Sequence, residues 1–191
     1  EAERPRVLAA WAAAEESVMG AQEAAAALHE RVLAIDPDDD ASLAALARVR
    51  LATGDVEGAI ASVTARRDRS EGSARAALDL EIAGLLSRLS RHADALAAVA
   101  PVLEASPGDE VALALARRAL SHREARLAAA IVLEKAAEAV EDTELGARMY
   151  EALLDAATAM PELDAARGRW FERLLERRSG DAEAALDVAV R

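Results

Sequence analysis

Four alanines set the rhythm of this chain. Ala25, Ala59, Ala95 and Ala129 are separated by 34, 36 and 34 residues, and Pro37 and Pro107 lie 70 residues apart, two such periods. A repeat of this length holding two helical segments describes a linear stack of helix hairpins. One Ala/Leu hairpin cannot bury its apolar face alone, but a neighbour stacked on it can. Small residues at the crossings let two backbones approach closely. The stretch from Leu51 to Ile60 shows the centre of one unit: Leu51 closes a helix, Gly54-Asp55 turns the chain, and Ala59-Ile60 begin the next buried face. Gly54 suits the left-handed residue that ends a helix, and Asp55 is a good N-cap for the one that follows.

Helical periodicity runs nearly end to end, and no stretch alternates with the period of a strand. The pattern predicts helices near 5–18, 21–35, 40–53, 56–68, 72–90, 92–105, 109–121, 123–140, 143–159, 161–178 and 182–190. Asp36-Pro37 stops the second helix, because a residue before proline avoids the α region. Asp38, Asp39 and Asp40 then offer an N-cap and favourable charge at the next helix start. Ser106-Pro107-Gly108-Asp109 and Ser179-Gly180-Asp181 repeat the device, Pro161 fits a first helical turn, and Pro101 kinks a helix or opens its last turn.

The stack resembles the tetratricopeptide (TPR) repeat, whose pattern is W-x2-L-G-x2-Y, then A-x3-F, then P. The second unit reads Leu43-x2-Leu46-Ala47-x2-Arg50, then Ala59-x3-Val63. The third reads Asp79-x2-Ile82-Ala83-x2-Leu86, then Ala95-x3-Val99, then Pro107. The first (Ala9, Ala12, Ala13, Glu16, Ala25, His29, Pro37) and the fourth (Leu113, Ala116, Arg117, Leu120, Ala129, Leu133) follow the same spacing without the large aromatics. A fifth pair near 143–178 is longer and fits loosely. The resemblance implies an all-α, right-handed α-solenoid of about five helix pairs, with a half-a-TPR or another α-solenoid as the nearest competitor. Its units fall near 6–39, 40–75, 76–109, 110–143 and 144–181, with a further one starting at 182–191. The segment 182–190 carries Ala185, Leu186, Val188 and Ala189 with nothing after them, and solenoids need polar end caps. The chain also begins with Glu1. Both features suggest an excerpt of a longer array, or an end that meets a partner.

Chemistry is sparse in this sequence. No cysteine is present, which excludes disulfides and thiol chemistry. No apolar run reaches the about 18 charge-free residues of a membrane span. The compartment stays open. Heavy Ala and Arg use suggests a GC-rich bacterial genome. Among three histidines, His29 lies within a helix and is expected to pack between neighbours, whereas His92 and His122 lie at turns and are expected to be solvated. No paired-histidine metal motif appears. Asp36-x-Asp38-x-Asp40 imitates a calcium loop, but Ala41 and Ala47 stand where the glycine and the closing glutamate belong, so helix capping accounts for these acids. The many carboxylates sit three or four residues from arginines, as in Glu172, Arg173, Glu176 and Arg177, which describes a solvated helix face. No Ser-His-acid, nucleophile-elbow or phosphate-loop pattern occurs. The basic runs Arg66-Arg67-Asp68-Arg69 and Arg177-Arg178 suit helix C-termini, with Arg117-Arg118 a further pair. At a net charge of −12, with no aromatic between Trp11 and Tyr150 for stacking, nucleic acid is rejected as a partner. Tyr150, Trp170 and Phe171 either anchor an interface or fill the core, and helical spacing favours the core.

The expected function is therefore a non-catalytic scaffold for protein–protein interaction, with no cofactor and no metal, binding a peptide or a folded protein. The TPR resemblance places the first helix of each pair on a concave groove, where the matching positions include Arg48, Arg88 and Arg118. Three guanidiniums facing one channel would hold an acidic or C-terminal peptide in bidentate forks. A structural span of a longer solenoid, or a regulatory domain attached to an enzyme, are the alternatives.

Overall fold

A computed structural model describes residues 3–16, 21–158 and 160–178. Its described residues form helices and no strand: α1 (Glu3–Ala14), α2 (Gln22–Leu33), α3 (Asp40–Thr53), α4 (Val56–Arg67), α5 (Gly72–Arg88), α6 (His92–Ala105), α7 (Glu110–Leu120), α8 (Arg126–Ala139), α9 (Thr143–Thr158) and α10 (Asp164–Arg178), with a 3-10 turn at Pro161–Leu163 before the last. These bounds follow the sequence pattern to within a few residues. The expected helix at 182–190 lies outside the described residues. Pro101 sits inside α6.

The starts of α3, α4, α7 and α9 are set by aspartates three residues ahead of an unbonded amide. Asp39 accepts from the Ser42 N–H at 2.9 Å, Asp55 from Gly58 at 2.9 Å, Asp109 from Ala112 at 2.8 Å and Asp142 from Leu145 at 2.9 Å. Each satisfies one of the amides that a helix start leaves orphaned.

The contacts divide the chain into two compact units, Glu1–Leu89 and Ser90–Arg191. In the first, α1 to α5 pack each on the next; in the second, α6 to α10 do the same, and α6 also meets α8. The repeat alanines lie where the spacing put them: Ala25, Ala59 and Ala129 are fully buried and Ala95 is nearly so. Around them the first unit buries Leu43, Leu46, Val49, Val63 and Ile82, and the second buries Val99, Leu113, Leu133, Leu153 and Trp170. The family's large residues at the hairpin crossings are thus replaced by Leu, Val and Ala.

One backbone feature recurs at the repeat spacing. Gly54 closes α3 with φ 86°, and Ser90, which is 36 residues later, takes φ 59° after α5. Left-handed backbone costs a residue with a Cβ about 1–2 kcal/mol, and a Cβ at Gly54 would meet nothing within 4 Å. Gly54→Ala is therefore expected to lose about 1 kcal/mol through backbone strain alone, and Ser90→Gly to gain about 0.5–1 kcal/mol. Urea midpoints of the two variants should move in opposite directions, and a shared direction would refute the assignment.

Candidate partner-binding face

The first helices of the hairpins leave one row of side chains uncovered. On α3 this row runs through Ala41, Ala44 and Arg48 and on α7 through Val111, Ala114 and Arg118; the matching residues of α5 are Ala77, Leu80 and Gly84, with Arg88 one turn further on. Ala44, Leu80 and Gly84 are half-buried and the rest are exposed. The rows on α3 and α7 are made of small or aliphatic residues and end, toward the helix C-terminus, in an arginine; on α5 the exposed Glu81 lies between Ala77 and Arg88.

The three arginines are not in equivalent states. Arg48, with 64% of its side chain exposed, already holds a carboxylate: its Nε and Nη2 donate to the two oxygens of Glu16 at 2.7 and 2.6 Å. This fork holds the Glu16 carboxyl below its usual range. Arg88 is the last residue of α5 and Arg118 lies in the last turn of α7; both are exposed, and neither makes a hydrogen bond or ion pair to another described residue. Arg48 and Arg88 belong to the first unit and Arg118 to the second.

The remaining charge clusters are consumed by the fold. Arg66 forks onto Asp40 at 2.8 and 3.2 Å, and Arg69 reaches Asp38 at 2.6 Å and the Pro37 carbonyl. The basic run after α4 and the acidic run before α3 thus neutralise each other. Arg50 stands at the tyrosine position of the TPR pattern. It donates to the Gly58 carbonyl and the Ser62 hydroxyl while pairing with Glu30 at 2.8 Å. Among the described residues, no group of three His, Cys, Asp or Glu is placed to hold a metal ion, and no helix is long and apolar enough to cross a membrane.

Two histidines give the molecule an acid-sensitive core. His29 is buried as expected, with Nδ1 3.3 Å from the Ser42 hydroxyl. The expectation that His92 is solvated is corrected: it is 4% exposed, and its ring stacks on His122 with centroids 3.3 Å apart and planes at 15°. The cause is topological, since the turn that follows α7 lies over the first turn of α6. Burial pushes both His29 and His92 below their ordinary value of 6.5; for His92, His122 and Arg118 add to the effect while Glu124 opposes it. A depressed histidine favours the neutral form in the fold. Its stabilisation is present above pH 6.5 and is lost as pH falls through the folded value. The melting temperature should be flat from pH 8 to 7, then fall on acidification below about 6.5, well before Glu16 begins to protonate. Replacing both residues by glutamine should flatten that limb. An unchanged slope in the double variant would remove the histidines as its cause.

No family model matches the chain, and no curated protein matches it. Among solved structures, MamA aligns over 88% of this chain and 95% of its own, at 16% identity and a TM-score of 0.51. A kinesin light chain of Podospora anserina with nearly identical TPR-like repeats aligns over 95% of this chain and 98% of its own, at 18% identity and a TM-score of 0.47. Successive helix hairpins, buried alanines at the repeat spacing and the likeness to MamA give one result: the chain has the all-α, TPR-like fold of a helical repeat protein.

Proposed function

We propose that this protein is a non-catalytic protein-interaction scaffold in which the uncovered first-helix rows of each unit receive a partner bearing a carboxylate, either an acidic segment or the free C-terminus of a peptide. The observation that carries the reading is the recurrence of one arrangement on α3 and α7, small or aliphatic side chains that admit a close backbone followed by an exposed arginine, with the exposed Arg88 of α5 one turn beyond the matching position. Guanidinium forks match carboxylate geometry. Arg88 and Arg118 have no hydrogen-bond or ion-pair partner among the described residues, and Arg48 has the fork in use on Glu16. The Arg48 end of that pair is exposed while the Glu16 side chain is 16% exposed, so the unengaged Arg88 and Arg118 are the readier carboxylate sites and Arg48 must exchange Glu16 to serve.

The test is capture of partners from the source cell by the native protein and by the Arg48→Glu, Arg88→Glu, Arg118→Glu triple variant. A bound partner is then measured as a purified peptide by fluorescence anisotropy. Affinity is expected to fall at least about tenfold in the variant, with unchanged helical circular dichroism. Equal binding by both proteins would place the contact on another face. No partner at all would favour a structural span whose task is length and curvature.

A further inference from the structure

A second, chemically different site lies in the unit that begins at Ser90. The α8 C-terminus, the middle of α9 and the end of α10 border an open cleft of about 500 Å³ lined by Glu138, Tyr150, Arg173, Glu176 and Arg177, a size typical of small-ligand sites. Its floor is Tyr150, only 1% exposed, whose hydroxyl makes no hydrogen bond to another described residue. Its walls carry two guanidiniums and two carboxylates. They are not equivalent. Arg177 is fixed, donating through Nη1 and Nη2 to the carbonyls of Val140 and Ala137 at 2.9 and 2.7 Å. Arg173 gives Nη1 to Glu176 at 2.8 Å and keeps its other donors. The Glu138 carboxylate has no ion pair among the described residues, although its backbone carbonyl accepts from Arg177 at 3.2 Å.

A free phenol donor beside an arginine, facing an unpaired carboxylate, is complementary to neither a simple anion nor a simple cation. A polyanion would meet Glu138 and Glu176, and a plain amine would meet two guanidiniums. We propose that this cleft binds a basic α-amino acid by two of its charged groups, the carboxylate on Arg173 and the Tyr150 hydroxyl and the side-chain cation on Glu138. The amino acid is either free in solution or the last residue of a peptide. Burial first, then the nearby Glu138, holds the Tyr150 phenol above its ordinary range, so it remains a donor at neutral pH. None of these residues belongs to the proposed peptide face, so the two readings fail separately.

Isothermal titration of the whole protein decides it with three probes: L-arginine, N-acetyl-alanyl-arginine with a free carboxylate, and the same dipeptide as its amide. Saturable binding of L-arginine or of the acid dipeptide is expected. Amidation, Tyr150→Phe and Glu138→Gln should each weaken it by about tenfold, with helical circular dichroism unchanged. Binding of L-arginine alone assigns the site to a free amino acid, and binding of the dipeptide alone assigns it to a peptide end; either supports the site. The proposal is overturned by no saturable binding of any probe at about 10 mM, by an amide bound as tightly as the acid, or by variants that bind like the native protein.

Discussion

Replacing Trp170 by alanine is expected to cost about 3–5 kcal/mol, the largest loss expected here from a single substitution. The reason lies in how little holds α10. Of its fifteen residues only Trp170 and Leu174 are fully buried, one turn apart. Trp170 is 2% exposed and among the largest buried side chains. Its removal takes away half of the apolar anchor and leaves a void that a close-packed interior refills poorly. Trp170→Phe should be far milder, below about 1.5 kcal/mol, for a specific reason. The indole N–H has no hydrogen-bond partner among the described residues, so phenylalanine keeps most of the ring and removes an unmet donor. Trp11→Ala, at a position 53% exposed, should change stability by no more than about 0.5 kcal/mol. Urea unfolding followed by far-ultraviolet circular dichroism separates the three. A Trp170→Phe variant as unstable as Trp170→Ala would mean that the indole N–H is satisfied and the anchor has another basis.

What the sequence made legible was whatever depends on neighbours a few residues away. The aspartate caps at 39, 55 and 109 and the turn at Gly54 are local chemistry, and the helix bounds follow from them; the cap at Asp142 is of the same kind, though the sequence pattern did not single it out. The buried alanines are long-range in space yet legible, because the repeat turns distance into a period. Partner choice was not legible. Arg66-Arg67-Asp68-Arg69 and Asp36 to Asp40 were both visible as charge runs, and each could be given a role at its own helix end. That they answer each other depends on which helix ends abut. His92 illustrates the same gap, since a turn residue is ordinarily solvated and only the stacking of one hairpin's turn over the preceding helix start buries it.

A signal for several of these contacts was present all the same. Arg48–Glu16 spans 32 residues, Arg69–Asp38 31, Arg169–Glu134 35 and Arg177 to the Val140 carbonyl 37. All are close to one repeat period. Residues one period apart occupy adjacent hairpins, so opposite charges at that separation are neighbours in a stack, as charges three or four apart are on a helix. At the candidate face Arg48 and Arg118 lie 70 residues apart, two periods, whereas Arg88 stands 40 and 30 residues from them and is out of register; the engagement of Arg48 by Glu16 follows from the period once this rule is applied. The Tyr150 cleft follows from no spacing rule, because it needs three helices placed at once.

Arg177 offers the sharpest check on that long-range chemistry. Its guanidinium donates to the Val140, Ala137 and Glu138 carbonyls at 2.9, 2.7 and 3.2 Å, which are orphaned acceptors at the end of α8. It reaches them across Gly146, a buried residue in α9. A Cβ on Gly146 would stand 2.9 Å from Nη1, 3.0 Å from Cζ and 3.3 Å from the Ala137 carbonyl oxygen. Two effects therefore oppose each other in Gly146→Ala. Helix propensity favours alanine by about 1 kcal/mol, while the methyl displaces a guanidinium whose removal strands buried carbonyls at about 1–3 kcal/mol. Displacement wins in the native background, so Gly146→Ala should destabilise. In an Arg177→Ala background only the Ala137 carbonyl oxygen at 3.3 Å still crowds the methyl, so helix propensity should prevail and the same substitution stabilise by less than about 1 kcal/mol. The expected coupling of at least about 1 kcal/mol lies within the range for residues in contact. Four urea curves measure it: native, two single variants and the double. A Gly146→Ala effect of the same sign and size in both backgrounds would show that Arg177 does not occupy the space above Gly146. The reversal would establish that glycine is present in α9 to let a neighbouring hairpin's arginine finish α8.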